Sequence, residues 1–278
     1  MGIAACLSPL GYIVVQALNQ YLPCELLTYL ANKPFGQYFD RFRLLGILCV
    51  IPLSLRFFKI TWHELRCQFS RETCKIGLQF FIGGLCLWGM SACLLYVQPA
   101  VQLSQREVCP SLLMALCSSL VASLTIAFLE EITFRGLLFR IVRKVTGSKF
   151  CGVHLVSFIF ACLHFSHITE PEEGPLFWQG LQCAFHSTLG IFYQIRWAYF
   201  CILYVLSYLL CLCVLSKKTL LSSIGLHGGL VCAIMCFRRY YVAIGSSHEF
   251  MNVTDAWSTF FLLLIIAICA RWKCKAVI

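Results

Sequence analysis

The sequence is poor in charged residues. Only 12% of its 278 residues are Asp, Glu, Lys or Arg, whereas soluble domains carry roughly 25%. Hydrophobic residues make up 60% of the chain, and its mean hydropathy is +0.81. These values exclude a typical soluble domain and predict an integral membrane protein.

Acidic residues are the scarcer charged class, with 12 against 22 Lys and Arg, which gives a formal net charge of +10. The basic residues lie at the ends of apolar runs, as in "LRFFK", "RIVRK" and "RWKCK". This placement is typical of membrane topology, because cytoplasmic loops are rich in Lys and Arg. The sequence therefore disfavours a nucleic-acid partner and indicates membrane lipid as the surroundings of the chain.

Paired metal-binding cysteines and a signal peptide are also lacking. The 19 cysteines are scattered through apolar runs such as "LLCLCVL", where cysteine acts as a small hydrophobic residue. No CxxC pair accompanies a second one, which argues against a structural zinc site. The N-terminal stretch "MGIAACLSPLGYIVVQAL" has no basic n-region, so we expect it to be a retained membrane segment.

Long apolar runs are what the sequence has instead. A membrane-spanning helix needs roughly 20 apolar residues. Two runs, 43–58 and 177–195, are interrupted by polar residues, so we expect them at the interface or inside the bundle. The predicted fold is all-α, a polytopic transmembrane helical bundle with about seven or eight spans in a single domain covering 1–278. The candidate segments are 4–20, 43–58, 74–98, 109–139, 150–166, 177–195, 198–216, 219–237 and 257–272.

The basic loops predict the topology. The residues after segment 109–139 and the pair Lys217–Lys218 both indicate cytoplasmic loops. The acidic loop "TEPEEGP" between them would then lie outside. This arrangement requires 177–216 to cross the membrane an odd number of times, as one span plus one re-entrant or interfacial helix would do.

Charges interrupt one apolar run, "FLEEITFRGLLFR" (128–140). On a helix, Glu131 and Arg135 are four residues apart with the glutamate first, which favours an ion pair. Glu130 is rotated by about 100° and is less easily neutralised by the same arginine. We expect these charges near the cytoplasmic end of their segment. Either a functional role or simple contact with water at the membrane boundary would explain them.

Histidines occur in two further apolar segments. His164 and His167 are three residues apart in "FACLHFSHI", and Phe160 lies four residues before His164, on the same helix face. His227 lies among glycines in "SSIGLHGGL", and small residues let another helix approach closely. A structural hydrogen bond would also explain each histidine taken alone.

Together, these ionisable residues predict a function, because such groups inside a membrane usually face a cavity. A carboxylate with two histidines can activate water in two ways. The carboxylate can act as general base while a histidine supports the oxyanion or the leaving group. Alternatively, the three can bind a metal ion that lowers the pKa of bound water. A proton relay in a transporter would use the same residue types.

Three motifs, in this order, resemble those of the CAAX-prenyl-protease type II and bacteriocin-processing (CPBP) family of intramembrane proteases. "EEITFR" (130–135) resembles its EExxxR motif, "FACLH" (160–164) its FxxxH motif and "SSIGLHGGL" (222–230) its closing histidine motif. The similarity covers roughly 118–234, within a motif-bearing core of about 109–237.

The resemblance implies a helical bundle with an internal polar cavity and intramembrane endopeptidase activity. Glu130 would activate water, and His164 and His227 would complete the catalytic group. In a metal-dependent enzyme the same three residues would bind the ion, and the cofactor is left open between zinc and none. The supporting residues would be Glu131, Arg135, Phe160 and His167.

One position departs from the family pattern. Four residues after the closing histidine, the family often has an asparagine whose amide can stabilise an oxyanion, and this chain has Val231. Loss of one oxyanion donor typically costs about 2.7–4 kcal/mol. The alternatives to a protease are therefore a catalytically degraded relative that binds peptides or a partner protein, and a proton-coupled transporter.

The expected partners are membrane lipid and a peptide or protein substrate. Prenylated C-terminal peptides, leader peptides and other membrane proteins are the candidate substrates. The expected location is the bacterial inner membrane rather than the endoplasmic reticulum, as a multi-pass protein.

Overall fold

The chain is almost entirely helical in the part that the structure describes. It divides into two compact units, a first unit of 1–56 and 162–196 and a second unit of 57–161 and 197–278, and the expected single domain stays a prediction. The structure, a computed structural model, describes residues 2–22, 24–32, 35–61, 63–96, 102–105, 111–164 and 197–244, with positions 178, 182, 263, 266 and 268.

Three helices form the described part of the first unit. They are α1 (Gly2–Tyr21), α2 (Glu25–Ala31) and α3 (Phe35–Phe57), whose last residue falls in the second unit. The side-chain amide of Gln16 donates a hydrogen bond to the carbonyl of Ala31 at 2.8 Å. The ring of Tyr12 meets those of Phe35 and Tyr38 edge to face. These contacts join α1 to the two helices that follow it.

The second unit contains the charged motif and the glycine-flanked histidine. Its two short strands, β1 (Gln102–Gln105) and β2 (Tyr241–Ile244), pair antiparallel. The predicted all-α class did not include these two strands, and its helical character is otherwise confirmed. The helices are α4 (Arg71–Tyr96), α5 (Leu112–Glu131), a π-helix (Ile132–Leu138), α6 (Phe139–Thr146), α7 (Lys149–Leu163), α8 (Trp197–Lys217) and α9 (Leu221–Tyr240).

Apolar helices of membrane-spanning length occur where the hydropathy predicts them. Among the described residues, Arg71–Ser91, Leu112–Thr146 and Tyr199–Lys217 are long and apolar enough to cross a membrane, and Lys149–Leu163 and Leu221–Phe237 are shorter apolar helices. The segment 109–139 exceeds a simple span, as expected, because α5, the π-helix and α6 are continuous. The number of seven or eight spans stays a prediction, since most of 177–195 and 257–272 lies outside the described residues.

Basic residues, among them Arg66 and Lys144, lie at one end of the second unit, which we call the basic end. Nζ of Lys144 donates a hydrogen bond to the carbonyl of Phe58 at 2.8 Å, and the amide of Leu220 donates to the carbonyl of Arg66 at 3.0 Å. The end of α6, the segment before α4 and the turn between α8 and α9 therefore meet here. This agrees with the common cytoplasmic side predicted for the two basic loops.

Glycines hold α9 against α4 at backbone distance. A Cβ atom added to Gly225 would lie 2.1 Å from the carbonyl oxygen of Gly77, and one added to Gly229 would lie 2.1 Å from that of Phe81. Both helices therefore advance in the same direction along the contact. This confirms the expectation that small residues around His227 let another helix approach.

The same contact sets the direction of His227. The histidine is two residues from Gly225 and two from Gly229, so it lies about 200° around the helix from the face that meets α4. Gly228 lies against α5, where an added Cβ would be 3.2 Å from a methyl group of Leu124. His227 is accordingly turned into the unit and is only 5% exposed.

The Gly84→Ala variant tests this contact. A Cβ at Gly84 would lie 2.3 Å from the carbonyl oxygen of Leu226 and 2.8 Å from the amide of Leu230. Since neither backbone atom can move alone, we expect a loss of about 1–3 kcal/mol in the free energy of unfolding.

The neighbouring variant Gly83→Ala is the matched control, because a Cβ there meets no atom within 4 Å. It should be neutral or gain up to about 1 kcal/mol from helix propensity. Thermal unfolding of the purified variants in detergent measures the difference. Equal melting temperatures for the two would contradict the close contact between α4 and α9.

Candidate functional site

The helix with the charged motif changes its winding at the motif. α5 ends at Glu131, and the next seven residues, Ile132–Leu138, form a π-helix before α6 begins at Phe139. π-helical segments are rare and are frequently found at functional sites. The sequence contains no signal that predicts this change.

The ion pair that the spacing predicts is present. Nη1 of Arg135 lies 2.9 Å from Oε1 of Glu131, and the two side chains are only 1% and 0% exposed. Charges that merely reached water at the membrane boundary would not be buried in this way. The explanation by simple water contact is therefore wrong for this pair.

The depth of the Glu130 and Glu131 carboxylates in the membrane stays a prediction, near the cytoplasmic end of their segment.

A third helix holds the guanidinium group of Arg135. Its Nη2 donates to the hydroxyl of Ser207 on α8 at 2.7 Å and is 3.4 Å from the carbonyl of the same residue. Its carbon Cζ lies 4.4 Å from the ring centroid of Phe160 on α7, within range of a cation–π contact. Sequence reasoning missed Ser207, although an isolated serine in the apolar middle of α8 is a usable signal.

His227 lies between the two carboxylates. Its Nδ1 is 2.9 Å from Oε1 of Glu131, and its Nε2 is 3.8 Å from Oε2 of Glu130. Glu131 is paired with Arg135, and an ionised carboxylate can only accept, so in that pairing Nδ1 is the donor. The bond to Glu131 fixes the orientation of the imidazole ring and turns Nε2 towards Glu130.

Glu130 differs from Glu131 in its surroundings. Its side chain is 26% exposed, whereas that of Glu131 is fully buried. Oε2 of each glutamate is buried and has no hydrogen-bond partner among the described residues. The distance of 3.8 Å to His227 exceeds a hydrogen bond. An unpaired buried oxygen of this kind needs an explanation, and a catalytic role is one. Oε1 of Glu131 is engaged by Arg135, as the spacing predicts, and by His227, and the role of Glu130 stays a prediction.

The remaining predicted site residues have different outcomes. Phe160 joins the cluster, because its ring centroid lies 6.1 Å from that of His227. His164 lies in the turn after α7, is exposed and belongs to the first unit, so its catalytic role stays a prediction. His167 lies outside the described residues.

Two potential metal donors converge in this cluster, Oε2 of Glu130 and Nε2 of His227. The bond from Nδ1 to a carboxylate is the one that zinc-bound histidines typically make. A catalytic zinc ion needs three protein ligands, and no set of three His, Cys, Asp or Glu side chains suited to a metal occurs in the part of the chain that the structure describes. Zinc or no cofactor stays an open prediction.

The comparison with known families agrees with these motifs. Residues 112–233 match the profile of the Rce1-like family, described as type II CAAX prenyl endopeptidase Rce1-like. The matched part runs from α5 into α9 and contains the whole cluster. No curated protein and no solved structure showed significant similarity to the chain. The profile match confirms that this membrane protein resembles the type II CAAX prenyl endopeptidases, a family of peptidases, over residues 112–233.

Proposed function

We propose that this protein is an intramembrane endopeptidase in which Glu130 is the general base that activates water. The observation that supports it best is the arrangement around His227. Glu131 binds Nδ1 at 2.9 Å, and the unpaired oxygen of Glu130 faces Nε2 at 3.8 Å. The match to a peptidase family supports the class of reaction.

In the proposed reaction, the oxygen of a water molecule attacks the carbonyl carbon of the substrate peptide bond while one water proton passes to Oε2 of Glu130. The C–N bond then breaks, and Glu130 returns the proton to the leaving nitrogen. His227 would orient the water by accepting a hydrogen bond at Nε2, while Glu131 holds the ring in that tautomer, as the buried carboxylate of a catalytic triad does. His164 would complete the group.

The proposed substrates are peptide bonds that reach the interior of the membrane. Prenylated C-terminal peptides come first, because the matched family is that of the prenyl endopeptidases. Leader peptides and other membrane proteins are the alternatives. The bacterial inner membrane remains the predicted location.

The variant Glu130→Gln tests the general base. Glutamine has nearly the same shape but cannot take a proton from water, and a general base contributes typically about 10²–10⁴-fold. We expect kcat for a prenylated peptide to fall by at least about 10²-fold in proteoliposomes, with an unchanged melting temperature. Cleavage at the wild-type rate would refute the proposal. Glu72→Gln, which removes an exposed carboxylate at the start of α4, is the control.

The variant Glu131→Gln should behave differently. It removes the charge that pairs with Arg135 and also binds His227. Breaking a buried ion pair costs about 3–5 kcal/mol, so we expect a clear drop in melting temperature together with lost activity. If Glu130→Gln lost more stability than Glu131→Gln, the proposed roles of general base for Glu130 and structural ion-pair partner for Glu131 would have to be exchanged.

A catalytically degraded relative that binds peptides is the second candidate, and Val231 favours it. This residue is half-buried and lies one helical turn after His227, where its side chain offers no hydrogen-bond donor. For an active protease, we expect measurable cleavage by the wild type and a kcat raised by up to about 10²–10³-fold in Val231→Asn. Val231→Ile serves as the apolar control.

Cleavage by Val231→Asn together with an inactive wild type would favour the degraded relative. A proton-coupled transporter would instead show pH-driven uptake in the same vesicles without cleavage of any peptide. Metal analysis of the purified protein, with activity measured before and after chelation, separates metal-type from glutamate-type chemistry.

A further inference from the structure

A cavity of about 200 Å³ opens at the basic end of the second unit. It shares no lining residue with the cluster around His227. Three of its lining residues are histidine, arginine or lysine, three are neutral and polar, and none is acidic. They are His63, Arg66, Gln68, Thr73, Lys218 and Thr219.

The cavity lies at the level where membrane helices begin and end. The apolar span in α4 starts at Arg71, and the span in α8 ends at Lys217. Thr73 lies in the first turn of α4, and the other lining residues come from the segments directly before the first span and directly after the second. Basic pockets between membrane helices on the cytoplasmic side are typical binding sites for anionic lipid headgroups.

Two of the basic lining residues have an unfavourable backbone conformation. Arg66 has φ = 56° and Lys218 has φ = 55°. These values lie in the left-handed region, which residues other than Gly, Asn and Asp rarely adopt. Lys218 also follows the last residue of α8, where glycine is the usual residue. Strain of this kind concentrates at ligand-binding sites.

The two strained turns are bound to each other. The carbonyl of Arg66 accepts hydrogen bonds from the amide of Leu220 at 3.0 Å and from the hydroxyl of Thr219 at 3.5 Å. The backbone of both turns is therefore held in place before any ligand arrives. This preorganisation places the guanidinium and ammonium groups at one cavity.

Glu64, an acidic residue two positions before Arg66, does not line the cavity. The carboxylate of Glu64 accepts hydrogen bonds from the amide of Thr61 at 2.6 Å and from its hydroxyl at 3.1 Å. The amide bond, followed by the hydroxyl bond, holds the pKa of Glu64 below its usual value. The carboxylate is therefore bound within its own turn and does not form an ion pair with the cations of the cavity.

We propose that this cavity binds the phosphate group of an anionic lipid of the cytoplasmic leaflet. Arg66 and Lys218 would supply charge-assisted hydrogen bonds to the phosphate oxygens, and the side-chain amide of Gln68 would supply a neutral one. A lipid phosphate is favoured over a soluble one because the cavity lies at the depth that lipid headgroups already occupy.

The test uses the full-length protein in phosphatidylcholine nanodiscs with fluorescent phosphatidic acid as the probe. The double variant Arg66→Asn/Lys218→Asn removes both charges, and asparagine tolerates the left-handed conformation. Lys59→Asn is the matched control, because Lys59 is also exposed with φ = 52° but does not line the cavity. None of these residues belongs to the cluster around His227.

We expect the double variant to bind phosphatidic acid about a hundredfold more weakly, tenfold for each lost charge-assisted hydrogen bond. Lys59→Asn should weaken the binding of phosphatidic acid by no more than about fivefold, which is the effect of one basic residue near an anionic surface. Equal affinities for the double variant and this control would overturn the proposal. Displacement of the lipid by glycerol 3-phosphate or inorganic phosphate at concentrations as low as that of the lipid would overturn its assignment as a lipid site.

Discussion

The contact between α4 and α9 is the constraint on which the site depends. Lipid is as apolar as a leucine side chain, so membrane helices associate through close packing rather than through hydrophobic burial. Gly225 and Gly229 let two backbones meet where any Cβ would lie 2.1 Å from a carbonyl oxygen. Because this contact permits only one rotation of α9, it also decides that His227 faces α5.

The buried charges depend on one another in turn. A single ion inside a bundle costs several kcal/mol, and only a closely bonded partner offsets this cost. Glu131 binds Arg135 and His227, each at 2.9 Å, and Arg135 reaches Ser207 on α8. This network ties together α5, the π-helix, α8 and α9. It engages Oε1 of Glu131, while Oε2 of Glu131 and Oε2 of the adjacent Glu130 both lack a hydrogen-bond partner among the described residues.

The second unit thus separates two kinds of polar site. The His227 cluster is buried inside the unit, where few groups can stabilise a charge. The basic end lies at the boundary, where Lys and Arg side chains reach water and lipid headgroups. One continuous helix from Leu112 to Thr146 carries residues of both, so its length sets the distance between the proposed chemistry and the basic end.

The sequence by itself determined the local features. Hydropathy located the apolar helices, and the four-residue spacing of Glu131 and Arg135 predicted their ion pair, because both patterns repeat with the period of a single helix. Only the tertiary structure decided the π-helix, the contact of Glu131 with His227, the bond from Arg135 to Ser207 and the pairing of β1 with β2. These depend on how one element is rotated and shifted against another, and that is set by packing between residues far apart in the chain.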